Sequence, residues 1–179
     1  MIGQLVTNLI LLLPLAAVIS YYDVRYRRIP NVLVLAALTS GFAVNGFING
    51  WNGLLASLGG CLFAFGLMLL LHVFGALGAG DVKLFAAIGA VIGSNLVLPT
   101  FLVILLTGGA LAVLTMLRTG TLRETLERVG LIFCSLLFNW RAPQFVIPSD
   151  QRGTIPYGVA ITLGSLISLA IFQVSAARP

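Results

Sequence analysis

Acidic residues are scarce in this 179-residue chain, so the position of each one is informative. The five acids are Asp23, Asp81, Glu124, Glu127 and Asp150. The last three fall within residues 118–153 and are typical of solvated charges. Asp23 and Asp81 instead adjoin long apolar stretches, where ionisable groups are candidates for function. Two carboxylates that share a site of low dielectric constant hold one proton between them. One can then take a proton from water while the other polarises a peptide carbonyl, which is aspartic-protease chemistry.

Asp81 follows a glycine-rich stretch, GALGAGDVKL, at residues 75–84. Gly78 and Gly80 carry no side chain, so an extended peptide could approach the backbone beside the acid. Each acid also has an ordinary structural interpretation. Asp81 could be the N-cap of the helix that follows, and Asp23 could be a boundary charge beside Arg25. Taken alone, the pattern around either acid leaves both interpretations open.

The elements that must position these acids are membrane-spanning helices. The chain is 59% hydrophobic and 8% charged, whereas an ordinary soluble domain is about 25% charged. Its apolar runs are long and do not alternate, which indicates helices that satisfy their own backbone groups. The sequence therefore predicts an all-α polytopic membrane protein, a bundle of about six transmembrane helices of about 20 residues each. The predicted spans lie near 4–22, 31–48, 54–76, 82–99, 100–117 and 154–174, with only Pro99 and Thr100 marking the turn between the fourth and the fifth.

The basic residues predict the orientation, because Lys and Arg collect on the cytoplasmic side of a membrane. With both termini external, only Arg178 of the ten basic residues falls outside. Asp23 and Asp81 then lie at the same cytoplasmic face and at similar depth, because two spans separate them. The net charge of +5 is explained by this topology, so we expect no nucleic-acid partner. The opening MIGQLVTN has no basic region, and we expect no cleavable signal there.

Residues near 118–153 form the one sizeable extramembrane segment in this topology. Leu122, Leu126 and Val129 recur at helical spacing, and Glu124 with Arg128 makes an i,i+4 pair. This pattern predicts an amphipathic helix on the cytoplasmic face, with a re-entrant or groove-lining segment as the alternative. No second domain is apparent, so residues 1–179 are expected to form a single integral membrane domain.

Three motifs in one order resemble a known family. Residues 78–81, Gly-Ala-Gly-Asp, match a GxGD signature, which 82–84 continue as Val-Lys-Leu. Asp23 precedes a basic stretch and Ile-Pro-Asn within residues 25–31, and residues 155–158, Ile-Pro-Tyr-Gly, open the last predicted span. This combination resembles the type IV prepilin peptidases, which are membrane-embedded aspartyl proteases. The resemblance covers nearly the whole chain.

The resemblance implies that Asp23 and Asp81 form the catalytic pair. The residues that it implies for substrate binding or support are Gly78, Gly80, Lys83, Pro156, Tyr157 and Gly158. The implied substrate is a prepilin or pseudopilin, whose short basic leader, typically ending in glycine, is removed at the cytoplasmic face of the bacterial inner membrane. No metal, nucleotide or other cofactor is implied. Larger family members also carry a cytoplasmic insertion with paired cysteines and methylate the new N-terminus. Here Asn31 leads directly into the second span, so we expect a peptidase without N-methyltransferase activity, similar to the members that serve Tad/Flp-type pili.

Two other functions stay open at the level of the sequence. A proton-coupled transporter would use Asp23 and Asp81 as proton carriers near the bilayer midplane. A non-catalytic scaffold of a pilus or secretion machine would keep the motifs without the activity. Two side chains near the acids also keep two interpretations each. Lys83 either contacts substrate or extends toward lipid headgroups, and His72 either shuttles protons or packs at the membrane interface.

Overall fold

The computed structural model describes residues 2–75, 77–120 and 157–177, which form five α-helices and no strand. The helices are α1 (Ile2–Tyr26), α2 (Asn31–Val73), α3 (Ala79–Ile92), α4 (Ser94–Thr119) and α5 (Tyr157–Ala177). Within the described ranges, α1, α2 and α4 are long and apolar enough to cross a bilayer. The prediction of an all-α membrane protein is therefore confirmed. Pro156 and nearly all of the predicted amphipathic segment near 118–153 lie outside the described residues.

The 43-residue helix α2 is about 65 Å long in its summed rise, more than twice the thickness of a hydrocarbon core. Gly50 breaks it, because its φ of 58° and ψ of −137° are not helical, and only glycine adopts such values without a steric penalty. The two halves then pack together, with Asn45 Nδ2 donating to Ser57 Oγ at 2.8 Å. These halves correspond to the predicted second and third spans.

The turn between α3 and α4 differs from the prediction. The sequence predicts it at Pro99 and Thr100, but α3 ends at Ile92 and is followed by its C-cap Gly93, whose φ is 76°. The Gly93 N–H donates to the carbonyl of Gly89 at 2.9 Å and closes the helix. Pro99 lies inside α4, where its missing N–H removes one backbone hydrogen bond. The prediction was wrong because an apolar membrane helix can continue through a proline at the cost of one hydrogen bond, whereas the positive φ of Gly93 ends a helix.

Helix α3 is buried over most of its length, from Leu84 through Ile92, and α2 is its main packing partner. The contact is close at Gly60 and Gly89, where a Cβ on either residue would overlap the backbone carbonyl of the other. Asn45 reinforces it by donating to the carbonyl oxygens of Ala90 at 2.9 Å and of Val91 at 3.1 Å. Small residues and interhelical hydrogen bonds of this kind hold helices together where lipid removes the hydrophobic driving force.

Helix α1 packs mainly against α5. A hydrogen bond of 2.8 Å joins the hydroxyl groups of Ser20 and Thr162 across this contact. On another face of α5, Ser168 makes a 2.8 Å hydroxyl contact with Thr100 of α4. Each of these four hydroxyls is therefore hydrogen-bonded within the protein, as polar groups must be where a bilayer excludes water.

The chain divides into two compact units. The first comprises Met1–Gly108 and Pro156–Pro179, and all the interhelical packing described above lies within it. The second comprises Gly109–Ile155, of which the structure describes 109–120. There, Thr115 Oγ1 donates to the carbonyl of Leu111 at 2.8 Å, so this hydroxyl is satisfied within its own helix.

Candidate active site

Asp23 lies in the last turn of α1 and is buried, with 8% of its surface exposed. The first turn of α5 covers it. The Val159 N–H donates to Asp23 Oδ2 at 3.2 Å, and a Cβ added to Gly158 would lie 2.8 Å from the same oxygen. Glycine is therefore what lets the α5 backbone approach the carboxylate. Burial raises the pKa of Asp23, and the N–H groups at the start of α5 oppose that shift by stabilising the carboxylate.

The turn after Asp23 contains the basic residues of the second motif. Arg27 adopts a left-handed φ of 52°, and its N–H donates to the Asp23 carbonyl at 3.0 Å. Its guanidinium also acts electrostatically on the Asp23 carboxylate. Two residues further on, the side chain of Ile29 lies 3.8 Å from the position that a Cβ on Gly80 would occupy. This turn therefore connects the Asp23 motif to the glycine-rich motif.

Asp81 lies in the first turn of α3, although not at the N-cap that its ordinary structural interpretation proposes. Gly78 is the N-cap residue and Asp81 is the third residue of the helix. The Gly78 N–H donates to Asp81 Oδ2 at 3.2 Å, and the Asp81 N–H donates to the Gly78 carbonyl at 3.1 Å. Asp81 thus caps the helix from inside, as the acid of a capping box does.

The surroundings of Asp81 make its protonated form more stable than that of an aspartate in water. Burial raises the pKa of Asp81 from its usual value of 3.8 to about 6. The Gly78 N–H opposes this shift by stabilising the carboxylate, and the Asp23 carboxylate adds to it by repulsion. The two acids are therefore close enough to interact. A pair in which one member stays protonated while the other ionises can act as acid and base together.

The remaining predicted site residues lie around these acids in different ways. Gly80 is half-buried against Ile29, whereas Gly78 is exposed. Lys83 is exposed on α3. Tyr157, the first residue of α5, is also exposed. The structure thus places Gly158 at Asp23 and Gly78 at Asp81.

Sequence reasoning missed two contributions to this site. The Val159 amide contacts Asp23 through its backbone, which no side-chain pattern could reveal. A hydrogen bond between the hydroxyls of Ser20 and Thr162 joins α1 to α5 one helical turn from the site. The sequence carries a signal for this second contribution. Ser20 lies three residues before Asp23 and Thr162 lies four residues after Gly158, so each hydroxyl shares a helix face with a site residue.

A metal site would need several ligating side chains close together within the described part of the chain. There, no three His, Cys, Asp or Glu side chains lie together as metal ligands would. The arrangement that the described residues do form is a pair of carboxylates with backbone donors, which suits proton transfer.

The fold and the site define a class, that of helical membrane proteins with two interacting aspartates at adjoining helix ends. Within it, the chain belongs to the type IV leader peptidase family, whose model matches residues 10–113. The chain is also 31% identical over 112 residues to the prepilin leader peptidase/N-methyltransferase of Bacillus subtilis (strain 168). That alignment covers 59% of this chain and 44% of the relative, so the chain matches less than half of that protein's length. No solved structure matches the chain.

The matched range 10–113 includes Asp23 and Asp81 but ends before α5. The family match therefore covers both acids, whereas the assignment of Gly158 and Val159 to the site rests on the contacts described above.

Proposed function

We propose that this protein is a membrane aspartyl endopeptidase that removes the short basic leader from prepilin or pseudopilin substrates. One observation carries the proposal. Asp23 and Asp81 lie at the adjoining ends of α1 and α3, where Ile29 lies beside Gly80 and the charge of Asp23 acts on Asp81, in a chain of the type IV leader peptidase family. Hydrolysis of a peptide bond needs one group that takes a proton from water and another that supplies a proton to the carbonyl oxygen. A carboxylate pair that holds one proton provides both.

The environments of the two acids support a division of labour. Burial raises the pKa of Asp23, and the Val159 N–H at the start of α5 opposes that shift by stabilising the carboxylate. We assign Asp23 the role of taking a proton from water, because this donor supports its ionised form. Asp81, with its pKa of about 6, holds the shared proton and donates it to the carbonyl oxygen as water adds to the carbonyl carbon. When the tetrahedral intermediate collapses, that proton returns to Asp81, and the proton on Asp23 passes to the leaving nitrogen.

The membrane arrangement that we propose has six crossing segments in a single domain over 1–179. They are α1 up to Tyr22, the two halves of α2 on either side of Gly50, α3 from Val82, α4 and α5, so that both acids lie at the ends of the crossing parts. Helix α3 is short, about 21 Å in rise, but it is enclosed by other helices from Leu84 onward. The distribution of basic residues supports an inner-membrane location with external termini and a cytoplasmic site, where the basic leader of a substrate would arrive.

We propose that the residues around the acids position the substrate as well as the carboxylates. Gly158 and Gly78 contact the acids directly, while Lys83 and Tyr157 are exposed nearby in sequence and available to a peptide. Pro156 joins them by its place in the motif. Only residues 27–30 separate α1 from α2, which leaves no room for a methylation-associated insertion there. We therefore propose peptidase activity without N-methyltransferase activity.

The decisive experiment replaces each acid by its uncharged isostere. Asp23→Asn and Asp81→Asn, purified in detergent, are assayed by mass spectrometry on a synthetic prepilin-type peptide with a basic leader. Each should lower kcat by about 10²- to 10⁴-fold, the usual contribution of a general acid or base. Asp150→Asn is the matched control and should cleave at the wild-type rate. Addition of S-adenosylmethionine should leave the mass of the new N-terminus unchanged.

Near-normal cleavage by either site variant would refute the paired-carboxylate mechanism. A wild-type protein that cleaves nothing, yet moves protons across liposomes in a way that both substitutions abolish, would favour a transporter.

A further inference from the structure

His72 makes a hydrogen bond that neither of its predicted roles anticipates. It lies half-buried in the last turn of α2, and its Nδ1 is 2.7 Å from the carbonyl oxygen of Leu77. A carbonyl oxygen can only accept, so Nδ1 must carry the proton in this contact. The Leu77 side chain packs against the apolar core, which fixes the other side of the same residue. His72 therefore anchors the segment that leads into the GxGD motif.

The peptide group that His72 contacts is also the one that contacts Asp81. Its carbonyl belongs to Leu77 and accepts from His72, while its N–H belongs to Gly78 and donates to Asp81 Oδ2 at 3.2 Å. A trans peptide is planar, with its C=O and N–H pointing in opposite directions. One rigid unit thus joins the imidazole to the carboxylate. Hydrogen bonds in such a chain polarise one another, so donation to the carbonyl strengthens the N–H as a donor.

We propose that His72 is a positioning residue for Asp81, acting through the Leu77–Gly78 peptide. This inference rests on the proposed function for its kinetic consequences, although the contact itself does not. The imidazole holds the peptide plane so that the Gly78 N–H meets Oδ2, and thereby sets both the place of the carboxylate and its tendency to ionise.

Other charged groups act on Asp81 and must be kept constant in any test. Asp23 repels its carboxylate from α1, and Arg27 acts in turn on Asp23. Lys83 lies two residues further along α3 and is exposed. None of these groups is changed by a substitution at position 72. A change in the titration of Asp81 after that substitution therefore reports on the relay, the link from His72 through the Leu77–Gly78 peptide to Asp81.

The first measurement uses the unaltered protein. His72 is the one histidine in the sequence, so labelling histidine with ¹⁵N in detergent-solubilised protein gives signals from this ring alone. We expect the neutral ring to carry its proton on Nδ1. A neutral ring protonated on Nε2 would overturn the relay without any reference to activity.

The second measurement compares three substitutions. His72→Asn places an amide donor near the position of Nδ1, His72→Gln places it near the position of Nε2, and His72→Leu has no donor. We expect His72→Leu and His72→Gln to raise the pKa of Asp81, followed by ¹³C NMR of labelled aspartate, by about 0.3–1 unit, the scale of one weakened hydrogen bond. His72→Asn should restore the wild-type titration. Equal titrations in all four proteins would overturn the proposal.

Cleavage of the synthetic prepilin-type peptide supplies the kinetic test. In His72→Leu we expect kcat to fall about two- to tenfold, the value of one hydrogen bond, with KM within about twofold. The alkaline limb of the pH–rate profile should move to higher pH together with the pKa of Asp81. A merely structural role would lower the yield of folded protein and leave the limb in place, which contradicts the relay. If the wild type cleaves nothing, the proposed function fails while the two NMR measurements still decide the relay.

Discussion

Gly158→Ala tests whether the first turn of α5 holds the Asp23 carboxylate in place. A Cβ at position 158 would lie 2.8 Å from Asp23 Oδ2 and 3.0 Å from Cγ. Non-bonded atoms of this kind rest at about 3.5 Å or more, so the carboxylate or the helix must move by roughly 0.6 Å. The Val159 N–H···Oδ2 contact, already 3.2 Å long, would then approach the limit of a useful hydrogen bond.

The expected effect is on the rate rather than on folding. Displacement of a reacting group by about 1 Å lowers a rate about 10²-fold, so a shift of roughly 0.6 Å should lower kcat by about 10- to 100-fold. Overpacking by one methyl group costs about 1–3 kcal/mol of stability, which a folded helical bundle can absorb. KM should change little, because the added methyl faces Asp23.

Gly66→Ala is the matched control. Gly66 lies in α2, and a Cβ there would meet nothing within 4 Å. Both variants are assayed for kcat on the synthetic peptide and for thermal unfolding in the same detergent. A Gly158→Ala protein whose kcat stays within about threefold of wild type would refute the packing argument, and so would an equal loss in Gly66→Ala.

Other expected outcomes concern Asp81 and the α2–α3 contact. The cleavage rate should fall as pH rises through the pKa of Asp81, about 6, because the ionised acid has no proton to donate; a rate still rising above that pH would contradict this. Folding raises the pKa of Asp81 above its usual 3.8, so protonated Asp81 favours the folded state. This contribution to the free energy of unfolding is complete below about pH 4 and is lost as pH rises through 6. Asp81→Asn should therefore raise the midpoint of thermal unfolding more at pH 8 than at pH 4. Gly60→Ala, whose Cβ would overlap the Gly89 carbonyl, should lower the free energy of unfolding by about 1–3 kcal/mol, whereas Gly59→Ala should not. Asn45→Leu removes three hydrogen-bonded contacts and should cost about 1–3 kcal/mol, measured by denaturant unfolding; an unchanged midpoint would show that these bonds contribute nothing net.

The sequence was sufficient to predict the helical class and to place the two acids at one predicted face, but not to show that their side chains meet. Composition excludes a soluble domain, and the two crossings predicted between Asp23 and Asp81 predict that both acids lie at one face. This argument depends on chain length and apolarity, which are properties of whole segments. It therefore tolerates errors of several residues at the ends of helices.

Breaks and backbone contacts could not be predicted in the same way. Proline and glycine are both possible breakers, and Gly93 rather than Pro99 ends a helix because its φ is positive in the folded packing. The Val159 amide contacts Asp23 by the approach of two helices that are distant in sequence. The link from His72 to Leu77 depends on the conformation of a short turn, and the sequence indicates only that a histidine lies near the loop.

The described helices pair as α2 with α3 and α1 with α5, and this pairing has a consequence for how the proposed activity can be lost. Asp81 belongs to the first pair and Asp23 to the second, so the spacing of the two carboxylates depends on the seam where the pairs meet. Apolar and small side chains line that seam, among them Ile19, Ala37 and Leu84. Substitutions there can misalign the acids while both pairs keep their internal glycine and hydroxyl contacts. Loss of activity and loss of folding should therefore map to different residues, and inactive but fully helical proteins are expected to cluster along this seam.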